Sequence, residues 1–350
     1  MKKGKRIEIN GKKIGDGEPA YIIAEAGVNH NGEMEIARKL IDQAASAGAD
    51  AIKFQTFRAD KIVTRDAPTA SYQKKNTGTE SQYRLLKNLE ITEDDIKELI
   101  KHTKKRRITF LSTPFDEESC NLLHELGVPA HKISSGDLTN TPLLETAAAH
   151  RIPIILSTGM ATLCEIEKAL KTIGEGKSQA ALMHCVTQYP APMETLNLRA
   201  VDTLKRTFNL PVGFSDHSTA IYTPAVAVAL GANIIEKHFT LNRAMPGPDH
   251  RASLNPHELQ EMITAIRETE KALGDGVKIP TPHEEEIKAS VRRSIVAARN
   301  ITAGEMIRRE MITFKRPLGG IEPEHYREIL GRKTRRAIKK DQHIRWEDIE

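Results

Sequence analysis

Eight short apolar runs recur in order along the first 240 or so residues, and each one ends in polar residues that can do chemistry. Stretches that read as amphipathic helices separate the runs. Strands that alternate with helices in this way are typical of a (β/α)8 barrel enzyme, whose reactive groups follow the carboxyl ends of the strands. Eight such units in one chain make a binding module or a structural protein a poor explanation. The runs are AYIIAEAGVNH, AIKFQTF, ITFLSTPFD, AHKISSGD, PIILSTGM, AALMHCVTQYP, PVGFSDHS and NIIEKHFT.

The chain is longer than a barrel requires. A barrel of this kind takes about 250 residues, whereas the chain has 350. We predict a barrel domain over residues 1–274, a Pro- and Gly-marked linker over 275–290, and a small domain of short strands and turns over 291–350. A domain of that size buries a thin core and often docks against something larger. The polar stretch 58–90, between the second and third runs, is predicted to be a lid or substrate loop on the catalytic face.

Composition indicates which classes of binding partner are compatible with the chain. The net charge of +5, on 52 basic and 47 acidic residues, argues weakly for an anionic ligand and not for nucleic acid. No stretch approaches the roughly 18 apolar residues of a membrane span, and the start lacks the apolar run of a signal peptide. Cys120, Cys164 and Cys185 show no paired spacing, which fits a reducing compartment, and Cys185 is predicted to be a core residue. We therefore predict a cytoplasmic protein with neither nucleic-acid nor membrane partners.

Lys53 and Lys132 lie within predicted strands and are candidate substrate-binding residues. Lys53 and Gln55 stand two apart, so they point to the same face. A lysine inside a barrel needs a partner, which is either a buried carboxylate such as Glu25 or an anionic substrate, unless the lysine forms a Schiff base. Lys132, two strands further on, is also followed by serines, and this pairing favours anion binding. We predict a cradle for phosphate and carboxylate groups. Its hydroxyl groups come from Thr113, Ser135, Ser157 and Ser215.

A metal site is predicted where the last two strands end. His217 and His238 close neighbouring strands and have acidic residues beside them. This arrangement is typical of a divalent-metal site with open positions. The carboxylate that completes the site is Asp216, Glu236 or Asp249. Asp249 lies in the stiff loop PGPDH, and a rigid loop positions a functional carboxylate well. The alternative is that Asp249 only caps a turn.

The ordered motifs resemble those of the sialic acid synthases, a group that includes the N-acetylneuraminate and N,N'-diacetyllegionaminate synthases. The C-terminal stretch SIVAARNITAGEMI, followed by KRP, resembles the antifreeze-like (SAF) domain of the same family. The resemblance covers nearly the whole chain. It implies an α/β protein with a TIM barrel followed by a small SAF domain, and a transferase of class EC 2.5.1.-. The motifs are IAEAGVNHNG, IKFQTF, FLSTPFD, HKISSGDLTN, LSTGM, FSDHS, EKHFT and PGPDH.

The activity implied by the resemblance is the condensation of phosphoenolpyruvate with an N-acylmannosamine-type sugar and water. The products are a nonulosonic (sialic-type) acid and phosphate. The acceptor is either N-acetylmannosamine or 2,4-diacetamido-2,4,6-trideoxymannose, and the sequence does not choose between them. The implied cofactor is a divalent metal, Mn²⁺ with Mg²⁺ or Co²⁺ as alternatives, held by His217 and His238. The implied assembly is a domain-swapped homodimer, in which Arg316 reaches the active site of the partner subunit.

The resemblance also assigns substrate contacts and catalytic groups. Thr187 replaces an asparagine at a phosphate contact, and its hydroxyl can still donate. Asp137 stands where many members have glutamate and is the candidate acid–base group. Leu318 stands where glycine is common, so Gly319 and Gly320 are expected to supply the turn behind Arg316. The phosphoenolpyruvate contacts are Lys53, Thr113, Lys132, Ser135, Ser157 and Ser215. The sugar contacts are Glu25, Gln55, Tyr189, Asp249 and Arg316, and the predicted catalytic residues are Glu25, Asp137 and Glu236.

Other activities compete with this interpretation. A related phosphoenolpyruvate-dependent aldol synthase would act on a phosphorylated sugar, as the deoxy-octulosonate phosphate synthases do, but those lack an SAF domain. A Schiff-base lyase would use Lys53 or Lys132 as its nucleophile. A carbohydrate-binding protein without catalysis is a third class, against which the paired histidines and paired lysines argue.

Overall fold

The computed structural model describes residues 5–175 and 179–350 of the chain. These residues form two compact units, Met1–Gly274 and Asp275–Glu350. Within the described residues, no helix has the length and apolar character needed to cross a bilayer.

Eight parallel strands form the barrel of the first unit, and each strand lies within one of the eight apolar runs. The predicted (β/α)8 fold is therefore confirmed. An antiparallel hairpin precedes the barrel and consists of β1 (Ile7–Ile9) and β2 (Lys12–Ile14). In the sheet order β5-β4-β3-β10-β9-β8-β7-β6, the two end strands lie side by side and close the barrel. The strands are β3 (Tyr21–Gly27), β4 (Ala51–Thr56), β5 (Thr109–Pro114), β6 (His131–Ile133), β7 (Ile154–Ser157), β8 (Ala180–Cys185), β9 (Val212–Asp216) and β10 (Ile234–His238).

Helices cover the outside of the barrel, and local sequence signals fix where several of them begin. Thr92 caps one helix through a capping box with Asp95, and Asn255 does the same for another with Glu258. The stretch 58–90, predicted to be a loop, contains three short helices, α2 to α4. The helices are α1 (Met34–Ala47), α2 (Ala59–Ile62), α3 (Ser71–Thr77), α4 (Gln82–Lys87), α5 (Glu93–Arg106), α6 (Glu117–Glu125), α7 (Thr141–Ala149), α8 (Leu163–Glu175), α9 (Ala200–Phe208), α10 (Thr223–Ala229) and α11 (Pro256–Leu273).

Alternate residues of each strand point into the barrel, and successive inward residues form two layers. The layer near the start of the strands is apolar and includes Ile23, Leu111, Ile155 and Met183. Isoleucines of the β1–β2 hairpin pack against it from below. This hairpin lies before the first of the eight apolar runs and was not predicted. The next inward residues along the strands are polar, and they form the floor of the site described below.

The second unit is small and rich in buried isoleucine. An antiparallel pair of strands, β11 (Ser294–Ala297) and β12 (Ile312–Lys315), anchors it. Two helices belong to it, α12 (Pro282–Val291) and α13 (Tyr326–Ile329). Helix α12 occupies the second half of the predicted linker. The core residues are Ile295, Ala297, Ile301, Ile307, Met311, Ile312, Ile321, Ile329, Ile338, Ile344 and Ile349.

Candidate active site

A cavity of about 540 Å³ opens at the carboxyl ends of the barrel strands. Every predicted site residue that belongs to the barrel lines it, although they come from widely separated parts of the chain. Their individual roles remain predictions. The residues are Glu25, Lys53, Gln55, Thr113, Lys132, Ser135, Asp137, Ser157, Thr187, Tyr189, Ser215, His217, Glu236, His238 and Asp249.

Lys53 lies at the centre of one half of the floor. Its ammonium is 2.8 Å from Oε2 of Glu25 and donates to Thr113 Oγ1 at 2.8 Å. Gln55 Nε2 donates to the other oxygen of Glu25 at 3.4 Å. Lys53 therefore has the buried carboxylate partner that was one alternative, and it also faces the cavity, where it could bind an anionic substrate.

Lys132 organises the other half. Its ammonium donates to Ser157 Oγ at 2.6 Å and is 3.5 Å from Oε1 of Glu236. Ser215 donates to the same carboxylate at 3.2 Å, and the other oxygen of Glu236 is 3.9 Å from Lys53 Nζ. Glu236 thus joins the two lysines into one network of opposite charges.

The surroundings raise the pKa of some of these groups and lower that of others. Burial raises the pKa of Glu25 above its usual range, although Lys53 opposes this effect. Burial would also raise the pKa of Glu236, but Lys132 and Lys53 outweigh it and hold the pKa low. The carboxylates overcome the burial of Lys53 and raise its pKa, whereas burial lowers the pKa of Lys132. The two lysines therefore favour the ionised form of Glu236, whereas Glu25 retains a proton to a higher pH than an ordinary glutamate.

Two aspartates stand at the rim. Ser134 Oγ donates to Asp137 Oδ2 at 2.5 Å, and Asn140 Nδ2 donates to its Oδ1 at 3.3 Å, while burial raises the pKa of Asp137. Asp249 is only 7% exposed, and burial raises its pKa to about 6. Both carboxyl groups can therefore carry a proton at a higher pH than an ordinary aspartate.

The two predicted metal ligands are close together, with ring centroids 5.4 Å apart. His217 Nδ1 donates to the carbonyl of Val186 at 2.6 Å, so its Nε2 carries the lone pair, and Ser215 Oγ lies 3.5 Å from this nitrogen. Burial lowers the pKa of His217 to about 4 and that of His238 well below its usual value, so both imidazoles are neutral. Within the described part of the chain, the buried Nδ1 of His238 has no hydrogen-bond partner. Neutral imidazoles with available nitrogens suit a divalent cation.

Of the three carboxylates considered for that site, Asp216 points the other way. Its Oδ2 accepts hydrogen bonds from Lys237 Nζ at 2.7 Å and from Thr223 Oγ1 at 2.6 Å. Both charged groups are fully buried outside the barrel wall. Because Asp216 and Lys237 neighbour the two histidines, their ion pair holds the ends of β9 and β10 in place. Glu236 and Asp249 are the acidic residues that remain on the cavity side.

Several cavity residues were not anticipated from the sequence. Cys185, predicted to be a core residue, has its Sγ 3.0 Å from Ser135 Oγ. It lies two positions after Met183 and so shares its inward face, which is the signal that could have located it. A side chain at Gly159 would come within 2.9 Å of Ser135 Oγ, so the wall requires glycine there. The cavity also has an apolar wall, which consists of Val28, Phe57, Ile62, Val63, Leu85, Leu86, Leu89 and Phe115.

Arg316 belongs to the second unit, where its side chain is exposed in the bend after β12. The turn behind it is held by Ser294 Oγ, which accepts hydrogen bonds from the backbone N–H groups of Gly319 and Gly320 at 3.0 and 3.1 Å. The predicted role of Arg316 in a partner subunit remains a prediction.

Known proteins resemble this chain over nearly its whole length. The NeuB family matches residues 40–278, and the SAF domain matches residues 292–350. The N,N'-diacetyllegionaminic acid synthase of Campylobacter jejuni is 48% identical over 93% of this chain and 98% of its own. The protein of the same name from Legionella pneumophila is 43% identical over 99% of each chain. Among solved structures, the N-acetylneuraminic acid (sialic acid) synthetase of Leptospira borgpetersenii, in complex with citrate, has a TM-score of 0.72 and 38% identity, and the match covers 81% of this chain and 95% of that one.

Proposed function

Since the chain belongs to the NeuB family and carries an SAF domain, we propose that it condenses phosphoenolpyruvate with an N-acylmannosamine-type sugar and water. The products are a nonulosonic acid and phosphate. The methylene carbon of phosphoenolpyruvate forms a bond to the aldehyde carbon of the open-chain sugar. Water then adds at C2 of the enolpyruvyl unit, and the adduct releases phosphate by C–O cleavage. The observation that carries the proposal is the pair of buried lysines facing one cavity with two neutral histidines.

Lys53 and Lys132 are proposed to bind the phosphate and carboxylate of phosphoenolpyruvate. Both ammonium groups already contact hydroxyls that face the cavity, Thr113 and Ser157. Ser135, Thr187 and Ser215 would add further donors. An anionic substrate with two acidic groups matches two cations better than a neutral sugar does. These fixed positive charges would also stabilise the negative charge on the departing phosphate.

His217 and His238 are proposed to hold a divalent cation, Mn²⁺ first, with Glu236 or Asp249 beside them. When bound there, such a cation supplies Lewis-acid polarisation of the sugar aldehyde oxygen. The chain's own contribution is to keep both imidazoles neutral and to fix His217 through the Val186 carbonyl. Asp137, whose pKa is raised by burial, is the proposed acid–base group, and Glu25 and Glu236 set the charge of the floor.

Of the two acceptors, we propose the 2,4-diacetamido-2,4,6-trideoxy sugar. Its C6 methyl and second acetyl group are less polar than the hydroxyls of N-acetylmannosamine. The apolar wall, with Phe57, Leu85 and Leu89 among its members, would bury those groups. The two relatives at 48% and 43% identity carry the name of the corresponding synthase, which supports the same choice.

The test is phosphate release from phosphoenolpyruvate with Mn²⁺ and each acceptor in parallel, with the product identified by mass spectrometry. We expect turnover with both N-acylated sugars, or with the diacetamido sugar alone, and a higher kcat/KM for the diacetamido sugar. Turnover only with a phosphorylated sugar would overturn the proposed acceptor class. No phosphate release with any acceptor would overturn the synthase.

A Schiff-base lyase is distinguished by borohydride trapping with pyruvate. Lys53 is ion-paired and its pKa is raised, so it is a poor nucleophile, while the lowered pKa of Lys132 makes it the residue to examine. We expect no covalent label on either lysine. A labelled Lys132 peptide would favour the lyase.

Arg316 is proposed to complete the active site of a partner subunit in a domain-swapped homodimer. We expect Arg316→Ala to fold, to bind phosphoenolpyruvate normally and to use the sugar poorly. Mixing it with His217→Ala places both defects in one site of a swapped heterodimer and neither in the other, so activity should recover to about half per mixed dimer. No recovery after subunit exchange has been verified by native mass spectrometry would contradict the swap.

A further inference from the structure

A second cluster of metal-binding side chains lies on the outside of the barrel wall. His131 begins β6, but it points outward, opposite to its neighbour Lys132. Its ring is fully buried against α6 and α7. Cys120 of α6 is fully buried beside it, with Sγ 3.9 Å from both ring nitrogens of His131. His150, at the end of α7, brings Nδ1 to 2.8 Å from His131 Nε2.

The contacts of His150 leave the right nitrogen available. His150 Nε2 lies 3.0 Å from Asn121 Oδ1, and an amide oxygen can only accept, so this nitrogen carries the proton. Nδ1 of the same ring then has its lone pair directed at His131. Ligand histidines commonly donate their other N–H in this way. A cation between the rings would take the place of the proton that His131 now shares with His150.

The distances are near those that one ion demands. Around a tetrahedral Zn²⁺, with bonds of about 2.0–2.1 Å to nitrogen and 2.3 Å to sulfur, ligand atoms stand roughly 3.3–3.5 Å apart. The separations from His131, 2.8 Å to His150 and 3.9 Å to Cys120, fall on either side of this range, and the three ligand atoms all lie within 4.8 Å of one another. His150 is only half-buried, and its ring stacks on that of His124 with centroids 4.0 Å apart. Asn121 and His124 are exposed beside it, so the cluster can be reached from solvent.

We propose that Cys120, His131 and His150 form a second metal site, distinct from the active site, for Zn²⁺ or a similar thiolate-preferring divalent cation. One thiolate and two imidazoles suit zinc, whereas Mn²⁺ and Mg²⁺ prefer oxygen ligands. Water fills the fourth position, on the side of His124. Binding releases the thiol proton of Cys120. Since His131 immediately precedes Lys132, the ion ties the strand that carries this lysine to two helices.

The experiment uses Co²⁺ as an optical probe, because a thiolate–Co²⁺ bond gives a charge-transfer band that imidazole ligands alone do not. The His217→Ala/His238→Ala double variant of the full chain, which lacks the active-site ligands, is freed of metal and titrated with Co²⁺. We expect one Co²⁺ per chain with a charge-transfer band. Zn²⁺ should displace the band, and Mn²⁺ should not.

Cysteine variants in the same background identify the thiolate. Cys120→Ser should abolish the band, while Cys164→Ser, at an exposed thiol, and Cys185→Ser, in the cavity, should keep it. If Cys120→Ser is unfolded by circular dichroism, His150→Gln at the half-buried position should weaken Co²⁺ binding at least tenfold. Absence of a band in the starting variant would overturn the proposal. So would a band that survives Cys120→Ser, or one that is lost with Cys185→Ser instead.

Zinc should also raise the Tm of the His217→Ala/His238→Ala variant and leave that of the same variant carrying Cys120→Ser unchanged. An equal shift in both would place the stabilising zinc elsewhere.

Discussion

The two layers of the barrel interior differ in what holds them together. The layer near the start of the strands, with Ile155 and Met183, is apolar and is closed from below by the β1–β2 hairpin. The layer above it is polar, and its two lysines and two glutamates are each at most 5% exposed. Apolar burial stabilises the first layer, whereas the second carries the cost of removing charges from water. Two residues along a strand therefore separate the layer that stabilises the barrel from the layer that lines the cavity.

The fold tolerates these buried charges because they form ion pairs with one another and because a bound ligand can interact with them. Lys53 and Lys132 face a cavity rather than a sealed core, so an anionic substrate can replace part of the hydration that they lost. The apolar layer has no such opening. It follows that substitutions in the upper layer should change activity first and those in the lower layer stability first.

The largest expected effect comes from removing the divalent metal. Chelator-treated protein should lose turnover by about a thousandfold, because Lewis-acid stabilisation is worth several kcal/mol. Added Mn²⁺ should restore it. His217→Ala should show the same loss without rescue, and its free energy of unfolding should match that of equally treated wild type to about 1 kcal/mol. Full turnover after metal removal, verified by elemental analysis, would remove the metal from the upper layer.

The second prediction compares two positions on β7. Ile155→Ala should lower the free energy of unfolding by about 2–5 kcal/mol, since it leaves a cavity in the apolar layer. Its KM for phosphoenolpyruvate should stay at the wild-type value. Ser157→Ala, two residues later, should do the reverse, because it removes the acceptor of Lys132 and little packing. Urea titration and steady-state kinetics on both variants would measure this, and equal losses of stability would contradict the two-layer description.

The sequence predicts the barrel well because its signal is local and repeated. Each strand is a short apolar run, and the period of two predicts that Lys53 and Gln55 share a face. The same period would have shown that Asp216 points away from His217 and that Cys185 points inward, had it been applied to every strand. The β1–β2 hairpin was missed because its sequence contains only a few alternating apolar residues around a turn. The network around Glu236 depends on distances between strands that are far apart in sequence, which no local pattern contains.

The third prediction concerns the lysines. Lys132→Met and Lys53→Met should each weaken the use of phosphoenolpyruvate about ten- to hundredfold, since a charge-assisted hydrogen bond is worth about 1.5–3 kcal/mol. Lys53→Met also leaves Glu25 without its cation, so this variant should lose more stability than Lys132→Met, whose carboxylate keeps Lys53 nearby. Isothermal titration with phosphoenolpyruvate and urea titration would test both parts. Wild-type affinity in both variants would rule out the cradle.

The smallest expected effect is a pH dependence of stability caused by Asp249. Burial raises the pKa of this carboxyl in the folded chain to about 6, from an ordinary value of 3.8. Below pH 4 the group is protonated whether the chain is folded or not, and it has no effect. As the pH rises toward 6, the unfolded chain loses this proton before the folded chain does, so stability falls, and above 6 the loss stays constant. Asp249→Asn has no such proton. Its free energy of unfolding should therefore rise relative to wild type by about 1–2 kcal/mol between pH 4 and 6.5, given about 1.4 kcal/mol per unit of pKa and some access of water. Urea titrations across this range would measure the difference, with exposed Asp66→Asn as the control. A difference that does not vary with pH would mean that Asp249 is better solvated than its burial implies, and that the polar layer does not extend to the rim.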